Sequence, residues 1–207
     1  MRKKIETVGF CLGWFAIITQ FVLMLQNRQA NIPETIIRFF SFFTILTNIL
    51  VALFFTHKIF KPSAKQFGIF NKKGTLTALT AFILIVGLVY QFILRGIWEP
   101  KGMQRLVDEL LHTIIPLCVF IYWFIYSTKE KINFHDVGIW LPYPVVYLLF
   151  VLARGIFSNY YPYPFLNIPG IGTGKVLLNI LLILLFMLFI MTILVGIKNR
   201  ATKNKIL

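Results

Sequence analysis

The sequence is short of carboxylates, histidines and cysteines, and each shortage narrows the reading. Seven Asp and Glu stand against 21 Lys and Arg in 207 residues, and charged residues make up only 14% of the chain. Soluble domains carry about a quarter charged residues, so a soluble globular domain is excluded first. The two cysteines, Cys11 and Cys118, both lie in apolar runs. They read as small core residues and not as a disulfide framework. The three histidines are His57, His112 and His135. Their spacing resembles no zinc site. The topology derived below also separates His112 from the other two, which leaves no bis-histidine haem site within a bundle. No metal or cofactor is expected. No Gly-rich phosphate loop precedes a helix, and "GIGTG" at Gly170–Gly174 reads as a break before the last apolar run.

What is abundant is apolar: 58% of residues are hydrophobic and 22 are Phe. A membrane-spanning helix needs about 20 such residues in a row. Six runs qualify, at residues 7–26, 39–56 (reaching back to 36 with Arg38 near the interface), 75–94, 110–128, 137–153 and 176–197. "MRKK" before the first run suits a signal peptide, but no small-x-small cleavage pattern precedes Asn27, so a retained span is expected. The basic residues alternate along the chain. The amino-terminal segment, the second loop, the fourth loop with Lys129 and Lys131, and the tail from Lys198 to Lys205 carry 14 Lys and Arg. The other loops carry five: Arg28, Arg95, Lys101, Arg105 and Lys175. Under the positive-inside rule both termini are cytoplasmic. The net charge of +14 is therefore a topology signal, and no nucleic-acid partner is expected. The expectation is an all-α membrane protein of the cell membrane, a single domain over residues 1–207, built as a bundle of six transmembrane helices. Its oligomeric state is left open.

The polar residues inside the apolar runs form a pattern. In "FFSFFTILTN", residues 39–48, Ser41, Thr44, Thr47 and Asn48 recur at helical spacing and share one face of a continuous helix. With the second and fourth spans both starting outside, Thr44 lies about 10–12 Å below one outer end and His112 about 9 Å below the other. Asp108 precedes His112 by four residues and Glu109 by three, so either carboxylate can orient the imidazole. Pro116 cannot donate to the His112 carbonyl, which predicts a local kink. A threonine hydroxyl becomes a nucleophile when a base takes its proton. His112 is the candidate base, and Asn48, one turn after Thr44, is a candidate oxyanion donor. Arg38, Arg95 and Arg154 cluster at the outer ends and are candidate clamps for an anionic head group. A stripe of Ser, Thr and Asn that glues helices together is the alternative for the same residues.

The segments "FFTILTNILVALFF", "LLHTIIPL" and "YYPYPFLN", in that order across six spans, resemble the androgen-induced and androgen-dependent multi-pass proteins and their bacterial six-span relatives. The eukaryotic members are threonine hydrolases that cleave fatty acid esters of hydroxy fatty acids with a membrane Thr and a membrane His. The resemblance implies Thr44 as nucleophile, with Thr47 as the second choice, and His112 as base. "VDELLH" departs from the eukaryotic pattern, which has a second His where this chain has carboxylates.

Two functions follow. The first is an intramembrane hydrolase or acyl transferase acting on a lipid or fatty acyl ester. Thr44 attacks, His112 moves the proton, Asp108 or Glu109 orients the ring, Asn48 steadies the oxyanion, and Thr47, Arg38, Arg95 and Arg154 contact the substrate. The second is a non-enzymatic transporter, lipid-binding protein or scaffold. Hydrogen-bond reach between Thr44 and His112 separates the two.

Overall fold

A computed structural model describes residues 1–62, 65–97, 99–127 and 131–203. Lys129, Thr128 and Lys205, used above for charge and span limits, lie outside the described residues. Those described are helical, without strands. In chain order the main helices are α1 (Arg2–Gln26), α2 (Ile32–Phe40), α3 (Phe43–Phe60), α4 (Thr75–Leu94), α5 (Met103–Tyr126), α6 (Phe134–Gly138), α7 (Pro142–Ser158) and α8 (Thr173–Lys203). Six helical stretches among them are long and apolar enough to cross a membrane, with α6 and α7 together forming the fifth. The chain is thus of the multi-pass membrane type.

The second apolar run is not one helix. It breaks at Ser41 and Phe42, which separates α2 from α3. Ser41 donates its hydroxyl to the Ile37 carbonyl at 2.7 Å, and the Ser41 carbonyl accepts from Tyr147 of α7 at 3.0 Å. Local back-bonding by serine competes with helix continuation, and Tyr147 takes up the carbonyl left over. The four-residue face expected from Ser41 to Asn48 is therefore corrected: Ser41 caps α2, and only Thr44, Thr47 and Asn48 share α3. A consequence is that Thr44 sits in the first turn of α3, with α2 before it, instead of two turns inside a longer helix. Asn31 opens α2 by accepting from Glu34 N at 2.9 Å, an N-cap bond.

α1 lies along α3. A Cβ on Gly13 would stand 3.1 Å from the Ala52 Cβ, so the two backbones meet through small residues. Trp14 Nε1 donates to Thr56 Oγ1 at 3.0 Å across the same interface. Trp123 of α5 donates to Thr77 of α4 at 2.9 Å. Pro142 begins α7 where a proline is tolerated, so the fifth apolar run divides just before it.

α4 and α5 each contain a π-helical turn, Tyr90–Leu94 and Leu110–Ile114. Such wide turns gather at functional positions in helices. The turn in α5 lies just before Pro116, where the sequence predicts a local kink. Proline supplies no N–H to the His112 carbonyl, and that carbonyl faces Gly87 of α4, where an added Cβ would come within 3.0 Å of it and 3.3 Å of the Pro116 Cβ.

Candidate functional site

Thr44 and His112 meet. Thr44 Oγ1 lies 3.3 Å from His112 Nε2. The break before α3 supplies the hydroxyl at a helix start, and the π turn in α5 supplies the imidazole. His112 Nδ1 is 2.9 Å from the Asp108 carbonyl and 3.2 Å from Asp108 Oδ1. Both neighbours are acceptors, so Nδ1 carries the hydrogen and the Nε2 lone pair faces the threonine. Tyr90 completes the arrangement. Its hydroxyl donates to Asp108 Oδ2, and its ring stacks on the imidazole with centroids 4.1 Å apart and planes 12° from parallel. The imidazole is thus fixed both by its hydrogen bond and by its face.

On the other side of Thr44 stands Tyr163, from the segment between α7 and α8. Its hydroxyl oxygen is 3.4 Å from Thr44 Oγ1 and accepts from Thr44 N at 3.3 Å. The Thr44 amide is one of the first-turn N–H groups that no helical carbonyl can satisfy. The Tyr163 ring is held by a stacked Phe165 at 5.1 Å and an edge contact with Phe42 at 5.9 Å. Burial of the phenol pushes its pKa above the ordinary value.

These groups open on a cavity of about 580 Å³. Thr44, Tyr90, Asp108, His112 and Tyr163 line it, as do Arg38 and Tyr160 and the apolar side chains of Leu23, Met24, Phe39, Ile45 and Leu111. That volume falls in the usual range for a small-molecule site. Arg38 lies over the Tyr160 ring at 4.2 Å. Its Nε donates to Glu34 Oε1 at 2.8 Å, and the same oxygen takes Arg154 Nη2 at 2.6 Å. Arg38 first, and then Arg154, hold the Glu34 carboxyl below its ordinary pKa.

Other residues singled out from the sequence lie elsewhere. Glu109 does not orient the imidazole; it pairs with Arg95 and accepts from Thr113 at 2.8 Å. Arg95 and Arg154 are not among the cavity residues; each points its charge at a glutamate. Thr47 is fully buried and bonded to the Tyr143 hydroxyl at 2.9 Å. Asn48 uses its amide nitrogen on the Thr44 carbonyl at 2.8 Å and the Leu111 carbonyl at 3.3 Å. Both hydrogens are therefore occupied, one within α3 and one joining α3 to α5, and neither is aimed at an oxyanion. Asn48 Oδ1 is buried with no hydrogen-bond partner among the described residues.

Sequence reasoning missed Tyr90, Tyr163 and the Glu34 bridge. Tyr163 lies in "YYPYPFLN", where four aromatics and two prolines specify a rigid loop, and that rigidity was the available signal. Tyr90 gave none, because a tyrosine near a span end is ordinary.

Fold and site together define a class: a helical protein with six membrane-length stretches and a Thr–His–Asp constellation, Thr44 and Asp108 buried and His112 half-buried, opening on a mixed polar and apolar cavity. No protein-family model, curated protein or solved structure matches the chain.

Proposed function

We propose that the protein is a multi-pass hydrolase of the cell membrane that cleaves lipid (fatty acid) esters with Thr44 as nucleophile and His112 as base. Both termini are cytoplasmic in this reading, by the distribution of Lys and Arg. The observation that carries the activity is the 3.3 Å approach of Thr44 Oγ1 to an imidazole nitrogen whose partner nitrogen is held by Asp108. The resemblance to the multi-pass threonine hydrolases points the same way.

His112 Nε2 takes the Thr44 hydroxyl proton as Oγ1 bonds to the ester carbon, and the carbonyl electron pair moves to oxygen. Collapse breaks the bond to the alcohol oxygen, which receives the proton from His112. Water then repeats the sequence on the threonine ester, releasing the fatty acid and free Thr44. Asp108 holds the ring in the required tautomer and steadies the imidazolium. The position of Thr44 at the start of α3 helps, because the helix end there is partially positive and favours developing negative charge.

Labelling of membranes with a fluorophosphonate probe, and ester turnover by purified protein in detergent, test this reading. Thr44→Ala abolishes both while the thermal melt is retained. His112→Ala costs nearly as much, and the double variant loses little more, since members of such a unit are strongly non-additive. Thr44→Ser retains activity and Thr47→Ala is mild. Full turnover by folded Thr44→Ala moves the assignment to a lipid-binding or transport protein that uses the same cavity.

A further inference from the structure

We propose that Tyr163 is a catalytic residue, its hydroxyl donating a hydrogen bond to the oxyanion that forms when Thr44 adds to the ester carbonyl. The inference rests on the threonine-hydrolase reading above and goes beyond it, because the attack just described gives the new negative charge a helix end but no named hydrogen-bond donor.

Four observations carry it. First, the phenol oxygen stands 3.4 Å from the attacking Oγ1 and 3.3 Å from the Thr44 amide, so it borders the space into which a carbonyl bonded to Oγ1 must project. Secondly, towards the Thr44 amide the phenol acts as acceptor, so its own proton is not used in that bond. A substrate oxygen entering between them accepts hydrogen bonds from the phenol O–H and the Thr44 N–H together, two donors from a fixed ring and a helix start. Thirdly, the donor first expected, the Asn48 amide, is committed to two backbone carbonyls. Fourthly, the ring is already in place, stacked on Phe165 and edged by Phe42, so no reorganisation accompanies the reaction. Burial keeps the phenol in its protonated, donating form.

As the Oγ1–C bond forms and the carbonyl pair moves to oxygen, the Thr44 proton goes to His112, and the Tyr163 proton stays on the phenol while bridging to the oxyanion. No proton leaves Tyr163 at any step.

The test uses the full chain in detergent with p-nitrophenyl butyrate and its thionoester, in which sulfur replaces the carbonyl oxygen. Tyr163→Phe lowers kcat by about 10²–10³-fold, the loss seen when one oxyanion donor is removed, with KM little changed and the melt retained. Tyr143→Phe, a buried phenol bonded to Thr47, stays within about twofold of wild type in kcat. The readout a packing role would not move is the oxygen-to-sulfur rate ratio: it is high in wild type and collapses in Tyr163→Phe. A second variant keeps the ring. Difluorotyrosine at position 163 gives a rate that falls as pH rises and the acidified phenol ionises, at a pH where wild type is unaffected. Turnover by wild type, loss in Thr44→Ala, and an unchanged rate and ratio in Tyr163→Phe overturn the Tyr163 assignment alone. No turnover by wild type, or equal turnover by Thr44→Ala, overturns the hydrolase reading and this inference with it.

Discussion

Replacing Gly87 with alanine should slow ester turnover although Gly87 touches no substrate. The added Cβ would lie 3.0 Å from the His112 carbonyl oxygen and 3.3 Å from the Pro116 Cβ. A comfortable carbon–oxygen contact is about 3.3–3.6 Å, so α4 and α5 must part by about 0.3–0.6 Å there. Neither neighbour is the end of a flexible side chain; one is backbone and the other a proline ring. The displacement therefore falls on the residue that holds the base. Thr44 Oγ1 and His112 Nε2 are 3.3 Å apart, and an added half ångström takes them beyond hydrogen-bond reach. Since a 1 Å misplacement costs about 10²-fold, the expected fall in kcat is about tenfold. Overpacking also lowers stability by about 1–3 kcal/mol. The control is Gly13→Ala, where the Cβ would meet the Ala52 Cβ at 3.1 Å in the α1–α3 interface. It should lower the melting temperature to a similar extent but leave kcat within about twofold. The assays are ester turnover at saturating substrate and a detergent thermal melt. Equal kcat in wild type and Gly87→Ala, with the melt shifted, would refute the claim that the α4–α5 contact sets the position of the base.

Two further outcomes are expected. The Glu34 carboxyl is held below its ordinary pKa by Arg38 and Arg154, so its contribution to stability is full above the ordinary carboxylate value and is lost as pH falls through the depressed one. The melting difference between wild type and Glu34→Gln should accordingly shrink as the buffer is taken from neutral to strongly acidic; a difference that grows on acidification would contradict the bridge. Reporter fusions after Thr56 and after Tyr126 should both report the cytoplasm, from the alternation of Lys and Arg, and either one reporting outside would overturn the proposed topology.

The apolar runs identified the six membrane-length stretches, because length and lack of charge are one-dimensional properties. Helix ends were less legible. The break at Ser41–Phe42 depends on Tyr147, more than a hundred residues away, capturing a carbonyl, and no local pattern announces it. The Thr44–His112 approach was anticipated by matching depths on two helices. The discrimination between Asp108 and Glu109 was not, since both are within one turn of His112. It is decided by Arg95, which draws Glu109 away, and by Tyr90, which fixes Asp108. For Asn48 the residue type was informative about hydrogen bonding and silent about direction: its amide faces the backbone of α5 and not the cavity.

The contact between Tyr163 and Thr44 spans 119 residues, and this sets an order of events during synthesis. Thr44 and His112 belong to helices that leave the ribosome well before the segment after α7. Hydroxyl and imidazole can therefore meet while the phenol is still unmade. Until that late loop docks, the Thr44 amide lacks its partner and the nascent site lacks one wall. On the proposed reading, a half-built chain among membrane lipids lacks its oxyanion donor until that late loop docks.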